Sequence, residues 1–191
     1  MYLFDRILNK MDFFEYLNHV LAFQINDLKR SIEFAQANFL VAIGCMNTIE
    51  FLGGLRNGEL GMRDKSKSRF KEGVLLLGTD YGVKFVIPNM TSVDEDVMWT
   101  LRNGLTHQYL PRVNQVGFVW IGAGKAPYRP FGMIERRNDT SYIERPTLML
   151  DVSALVEAIE NGCETLFVEL KKDEYKKARA EKALSLIPEL L

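Results

Sequence analysis

The stretch "LRNGLTHQYL" (Leu101–Leu110) places an arginine, a histidine and a tyrosine within eight residues. His107 is one of only two histidines among 191 residues, and Arg102 lies five residues before it. Histidine titrates near neutral pH, so it can serve as a general acid or a general base. Arginine keeps its charge and can bind two phosphate oxygens at once. The two residue types therefore suit chemistry at a phosphate ester, provided that both side chains reach the same space.

The flanking sequence predicts that a helix from about Val93 to Tyr109 positions these residues. Ser92 with Glu95 three residues later matches a capping box. Acidic residues in the first turn suit the positive end of the helix dipole. Pro111 marks the far limit. The "LRNGLTHQYL" stretch then occupies the last turns of the helix.

A helical wheel at about 100° per residue separates this helix into two sides. Four apolar residues form a stripe along one side, and this side is predicted to face the core: Val97, Met98, Leu101 and Leu105. Four polar residues lie opposite: Arg102, Asn103, Thr106 and His107. Asn103 and His107 are four residues apart, so the amide is placed to hold the histidine ring through a hydrogen bond.

The polar side has two interpretations. It is either the solvated face of an amphipathic helix or a face covered by other protein. Trp99 falls in its middle, where a lone exposed tryptophan is unusual. Gly104 costs about 1 kcal/mol relative to alanine inside a helix and makes sense where another backbone packs closely. Trp99, Gly104 and Thr106 are therefore candidates for contact with a β-rich segment or with a second subunit.

The rest of the chain predicts a mainly α-helical bundle. Apolar residues at three- and four-residue spacing predict a helix from about Asp27 to Phe51 that ends at Gly53-Gly54. An earlier helix is expected around Lys10 to Ile25. The stretch "RFKEGVLLLGTDYGV" predicts a further short helix.

A β-rich insertion is predicted at about residues 113–150, before the last long helix. The runs "VNQVGFVWIGAG", "RPFGMIERR" and "YIERPTLML" are typical of two or three antiparallel strands. Asp151 is the expected N-cap of the helix that follows, and a charged helix ends the chain. Residues 1–191 are expected to form a single domain.

Composition narrows the function classes. Apolar residues make up 47% of the chain, enough for a sizeable core. The net charge is −1, so no overall electrostatic field attracts nucleic acid. The segments 102–145 and 56–71 are locally basic and could contact phosphates, or they could be ordinary solvated surface. His19 is expected to be a packed helix residue, and Cys45 and Cys163 are expected to be buried, reduced thiols.

The sequence favours a protein without a secretory signal, a membrane span or a metal site. It shows no secretory signal, and its longest unbroken apolar run, Phe39 to Met46, is too short to span a bilayer. It also has no Cys–His or His–His pair at metal-ligand spacing. We therefore expect a cytoplasmic protein with no membrane association, no metal and no cofactor.

The segment "RNGLTHQY" resembles the Arg-x4–6-His motif of HEPN domains, the helical ribonuclease modules of prokaryotic toxin–antitoxin, defence and RNA-processing systems. The family often has a polar residue after the arginine, and Asn103 fits. The resemblance implies a bundle of four or five helices, a homodimer and metal-independent cleavage of RNA. The chain is longer than the compact toxins of this kind, and the β-rich insertion is not part of the minimal bundle.

The longer pattern Arg-x4-His-x-Tyr is similar to that of HEPN toxins paired with a minimal nucleotidyltransferase antitoxin. This resemblance implies such an antitoxin as a partner. It also implies the Tyr109 hydroxyl as a site of nucleotide transfer, which would place negative charge over Arg102.

Metal-free RNA cleavage needs a base for the 2′-hydroxyl, an acid for the leaving 5′-oxygen and positive charge on the phosphate. Arg102, Asn103 and His107 are the predicted catalytic residues. A two-fold dimer would bring two copies of His107 together and supply both proton-transfer groups. The alternative hypothesis is a catalytically inactive HEPN-like protein that serves as a dimerisation or binding module.

Overall fold

The computed structural model describes residues 12–78, 81, 97–108, 119–122, 131–134 and 147–185, with side chains over 12–78, 81, 98–106 and 150–185. Within these residues the chain is mainly helical, with one small sheet. The predicted helical bundle with a small β insertion is confirmed at this level. The single-domain prediction for residues 1–191 stays a prediction.

Helices account for most of the described chain, and the elements follow one another in a simple order. They are α1 Phe13–Glu33, α2 Asn38–Asn57, a 3₁₀ turn Arg63–Lys65, α3 Ser66–Leu76, α4 Val97–Asn103, a π-helical turn Gly104–Gln108, β1 Val119–Gly122, β2 Phe131–Ile134, β3 Thr147–Asp151, α5 Val152–Lys172 and α6 Glu174–Ser185. The helix α2 is central, since it contacts α1, α3, α5, α6 and the π-helical turn.

The boundary between α1 and α2 differs from the prediction. A single helix from Asp27 to Phe51 is wrong, because α1 ends at Glu33 and α2 begins at Asn38. Gln36, between them, adopts a left-handed backbone conformation with φ of 50°. The apolar spacing continues across this short break, so periodicity alone did not locate it.

The glycine pair in α2 also has a different role from the predicted one. Gly53 and Gly54 lie inside α2, and the helix ends instead at Gly58, a left-handed C-cap with φ of 65°. A Cβ on Gly53 would lie 2.5 Å from the backbone nitrogen of Gly73 and would overlap the carbonyl oxygen of Arg69. The missing side chains therefore let the backbones of α2 and α3 come into direct contact.

The sheet has the strand order β1-β3-β2. The predicted antiparallel pairing holds for β2 and β3, where Gly132 pairs with Met149. It is wrong for β1 and β3, which are parallel, with Trp120 opposite Met149. The chain passes directly from β3 into α5 at Asp151, whose side chain accepts hydrogen bonds from the backbone of Ser153 and Ala154. The predicted N-cap is therefore confirmed.

The core surrounds α2, and ten residues of this helix are buried. Among the described helices, α2 is long and apolar enough to cross a membrane by length and composition. Its burial among four other helices is typical of the central helix of a bundle. Cys45 and Cys163 are buried and free, as expected.

Candidate functional site

The predicted helix around the Arg–His motif is present, but it changes character within the motif. It is α-helical over Val97–Asn103 and π-helical over Gly104–Gln108. Leu101 and Leu105 are fully buried, as the wheel predicts. The capping box at Ser92 and Glu95 lies outside the described residues.

The π-helical turn alters the relation between Arg102 and His107. On an α-helix, residues five apart point about 140° away from each other. In a π-helix the backbone hydrogen bond joins residues five apart, so such residues lie about one turn apart. The π-helical turn begins two residues after Arg102, so the wheel angle between Arg102 and His107, which assumes an α-helix throughout, does not hold. The His107 side chain and all of Tyr109 lie outside the described residues.

Arg102 is held in one orientation by contacts from three helices. Its Nη2 donates to a carboxylate oxygen of Glu50 at 2.6 Å and to the Ser66 hydroxyl at 3.1 Å. Its Nη1 donates to the Asn103 amide oxygen at 3.1 Å. The guanidinium carbon lies 5.2 Å from the centre of the Trp99 ring, within the range of a cation–π contact.

Glu50 joins Arg102 to a second arginine, Arg69. One carboxylate oxygen of Glu50 accepts from Arg69 at 2.6 Å, while the other accepts from Arg102 at 2.6 Å. All three side chains are only 13% exposed, so water screens their attraction weakly. The sequence interpretation missed both Glu50 and Arg69. The available signal was that Glu50 is the only charged residue between positions 38 and 55.

The two arginines keep Glu50 ionised. Burial by itself raises the pKa of this carboxyl group, but hydrogen bonds from Arg69, Ser66 and Arg102, together with the charge of Arg102, outweigh it. The net result is a pKa below the ordinary value. Glu50 is therefore an anion at neutral pH, and the Glu50–Arg69–Arg102 cluster carries one net positive charge.

The cluster forms one wall of an open cavity of about 320 Å³. The lining residues come from α2, the segment after it, α3 and α4: Asn47, Glu50, Phe51, Leu60, Gly61, Arg69 and Arg102. A cavity of this size lies at the lower end of the range for small-molecule sites. The site therefore combines guanidinium and carboxylate groups with an amide and an apolar wall.

The candidate interface residues make contacts inside the chain. The ring of Trp99 packs against Phe70 of α3, with ring centroids 5.7 Å apart. Gly104 is buried, and the Thr106 hydroxyl donates to the Arg102 carbonyl at 2.8 Å. Helix α3 therefore packs over the Trp99 ring. The sequence interpretations considered solvent, the β-rich segment or a second subunit at this face, and did not consider α3. A role of these residues in contact with a second subunit stays a prediction.

Other sequence candidates lie away from this cavity. His19 is exposed on α1, so the prediction that it is packed is wrong, and it is not among the residues that line the cavity. In the basic segment 56–71, Arg56 forms ion pairs with Glu72 and Glu169. This arginine therefore serves the contact of α2 with α3 and α5. In the described part of the chain, no group of three His, Cys, Asp or Glu residues could hold a metal.

Comparison of the chain with models of protein families, with curated proteins and with solved structures finds no match. The geometry around Arg102 and the spacing of the motif are therefore the features that bear on function.

Proposed function

We propose that the protein is a metal-independent endoribonuclease of the HEPN type that acts as a homodimer in a toxin–antitoxin or defence system. The observation that carries the proposal is the fixed guanidinium group of Arg102 at the wall of an open cavity, five residues before His107. Contacts with Glu50, Ser66, Asn103 and Trp99 restrict this side chain. A charge that is already oriented needs little reorganisation when the transition state forms.

The proposed reaction is an internal transesterification of RNA. The 2′-oxygen loses its proton to a base and attacks the adjacent phosphorus, and the bond from phosphorus to the 5′-oxygen breaks. An acid protonates the departing 5′-oxygen, which leaves a 2′,3′-cyclic phosphate and a 5′-hydroxyl end. Arg102 stabilises the extra negative charge on the phosphate oxygens.

His107 supplies proton transfer in this scheme. The motif provides one histidine in each chain, so a two-fold dimer provides one for the base and one for the acid. Asn103 has a second role beyond the one predicted from its spacing, since its amide oxygen accepts a hydrogen bond from Arg102. Substitution of Asn103 should therefore weaken the placement of the arginine.

The experiment compares purified wild type with His107→Ala on total RNA and on transfer RNA, with and without excess EDTA. Wild type should cleave in both conditions, and His107→Ala should lose about 10²–10⁴ in rate. Arg102→Ala should lose activity as well, and Arg102→Lys should recover only part of it, because the single ammonium group of lysine cannot reproduce the contacts with Glu50, Ser66 and Asn103 that orient the charge. His19→Ala is the matched control, since His19 is exposed on α1 and should leave cleavage unchanged.

A second function, a catalytically inactive binding module, is favoured by one observation. The Arg102–Glu50 ion pair is 13% exposed and also joins Arg69, an arrangement that can serve stability alone. If no RNA is cleaved and Arg102→Ala lowers only the melting temperature, the ribonuclease proposal is rejected, and the second function is then tested by the oligomeric state of the protein. Equal cleavage by wild type and His107→Ala would point to a contaminating nuclease and would also reject the ribonuclease proposal.

A further inference from the structure

Arg69 is anchored as firmly as Arg102, although it lies outside the Arg–His motif. Its Nη1 donates to the backbone carbonyls of Glu59, at 3.2 Å, and of Met62. Its Nη2 donates to Glu50 at 2.6 Å. These contacts tie α3 to α2 and to the segment that follows it, and they leave the Arg69 side chain on the cavity wall.

The two guanidinium groups lie on either side of one carboxylate. Glu50 prevents them from repelling each other, and the three residues still carry one net positive charge. Because all three are 13% exposed, this charge acts on a ligand in the cavity with less screening than a surface charge would. A phosphate carries negative charge and several acceptor oxygens, so it is the anion that this pair of cations attracts most strongly.

The remaining walls of the cavity suit the rest of a nucleotide. Phe51 is partly exposed and is the aromatic side chain of the lining, so its ring can contact the face of a nucleobase. Asn47 is exposed at the same cavity and offers an amide that can hydrogen-bond to a base edge. The cavity of about 320 Å³ is also larger than a bare phosphate ion requires.

We infer that this cavity is a nucleotide subsite in which Arg69 and Arg102 share one phosphate and Asn47 and Phe51 contact the attached nucleoside. Arg69 is thereby a substrate-binding residue that the motif does not contain. The inference deepens the proposed function and rests on it for the view that the bound nucleotide belongs to RNA. Binding of a free nucleotide can nevertheless be measured without any cleavage.

Trp99 provides the readout, because Arg102 lies 5.2 Å from the centre of its ring. The chain has two tryptophans, so Trp120→Phe leaves Trp99 as the single fluorescent reporter. In this background the protein is titrated with adenosine 5′-monophosphate, inorganic phosphate and adenosine at fixed ionic strength. We expect the monophosphate to bind more tightly than inorganic phosphate, and adenosine to bind most weakly.

Arg69→Gln tests the proposed phosphate contact, with Lys67→Gln as its matched control. Both substitutions remove one positive charge from α3, and Lys67 lies 6.0 Å from Trp99 but does not line the cavity. Arg69→Gln should weaken binding of the monophosphate about tenfold or more, whereas Lys67→Gln should change it less than about twofold. Equal effects of the two substitutions would overturn the inference, as would equal affinities for the monophosphate and inorganic phosphate.

Arg69→Gln removes contacts to two backbone carbonyls, so its melting temperature is measured in parallel. If it fails to fold, Asn47→Asp takes its place, since this near-isosteric change adds a negative charge to the cavity from an exposed position. It should also weaken monophosphate binding by about tenfold. An unchanged affinity in Asn47→Asp would overturn the inference.

The two proposals fail in different ways. Monophosphate binding that depends on Arg69, in a protein that cleaves no RNA, would keep the subsite and reject the ribonuclease. RNA cleavage that depends on His107, with no monophosphate binding and with equal activity in Arg69→Gln and Lys67→Gln, would keep the ribonuclease and reject the subsite.

Discussion

Gly53→Ala tests whether the close contact of α2 with α3 builds the site. The new Cβ would lie 2.5 Å from the Gly73 nitrogen and 2.8 Å from the Arg69 carbonyl carbon. Ordinary contacts between such atoms are about 3.5 Å, and the overlap with the Arg69 carbonyl oxygen is more severe still, so the two helices must separate by more than about 1 Å. The obstacles are backbone atoms, so no change of side-chain rotamer can relieve the overlap.

The expected loss of stability follows from two opposing terms. Overpacking of a core typically costs about 1–3 kcal/mol, and an immovable backbone places this site at the upper end. Alanine in place of glycine inside a helix returns about 1 kcal/mol. The net loss is therefore about 2 kcal/mol, which lowers the melting temperature of a chain of this length by about 4–8 °C. The Glu50–Arg69 ion pair spans the same helix contact, so the response of Trp99 to adenosine 5′-monophosphate should weaken too.

The assay is thermal denaturation followed by circular dichroism, with Gly44→Ala as the control. Gly44 lies in the same helix, but the nearest obstacle to a Cβ there is the end of the Leu28 side chain, at 2.6 Å. A leucine methyl group can move, so Gly44→Ala should cost less than about 1 kcal/mol. A Gly53→Ala protein as stable as wild type, or a Gly44→Ala protein equally destabilised, would refute the argument from backbone contact.

Two further predictions concern titratable groups. The pKa of Glu50 is lowered by folding, so its contribution to stability is present above the ordinary value of 4.5 and is lost as the pH falls below it. The difference in melting temperature between wild type and Glu50→Gln should therefore be largest near neutral pH and should shrink below 4.5; a constant difference would contradict this. Burial raises the pKa of the Cys45 and Cys163 thiols to about 12, so iodoacetamide at pH 8 should alkylate neither thiol in the folded protein and both in guanidinium chloride. Rapid alkylation of the folded protein, measured by mass spectrometry, would argue against this burial.

The sequence alone predicted the features that depend on neighbouring residues along the chain. The apolar stripe that includes Leu101 and Leu105 is buried, because helical spacing places these residues on one side. Asp151 caps α5, because its side chain reaches backbone groups only two and three residues away. The helical character of the chain follows from the same local rules.

Local rules did not decide the ends of elements or the pairing of strands. Gly53 and Gly54 have the composition of a helix end, yet only the approach of α3 shows that Gly53 serves a contact between two helices. The parallel pairing of β1 with β3 is likewise a property of the fold, since each strand alone has the same β-rich pattern whichever way its partner runs.

The candidate site also combines a residue predicted from local spacing with residues that only the tertiary structure places. The motif spacing identified Arg102, but its carboxylate partner Glu50 lies 52 residues earlier, and Arg69 lies 19 residues after Glu50. A lone charge in an apolar helix signals that some partner is needed, because a buried charge without one is costly. Which partner it finds depends on how α2, α3 and α4 pack, since attraction between buried charges acts over a few ångströms of space and is independent of their separation along the chain.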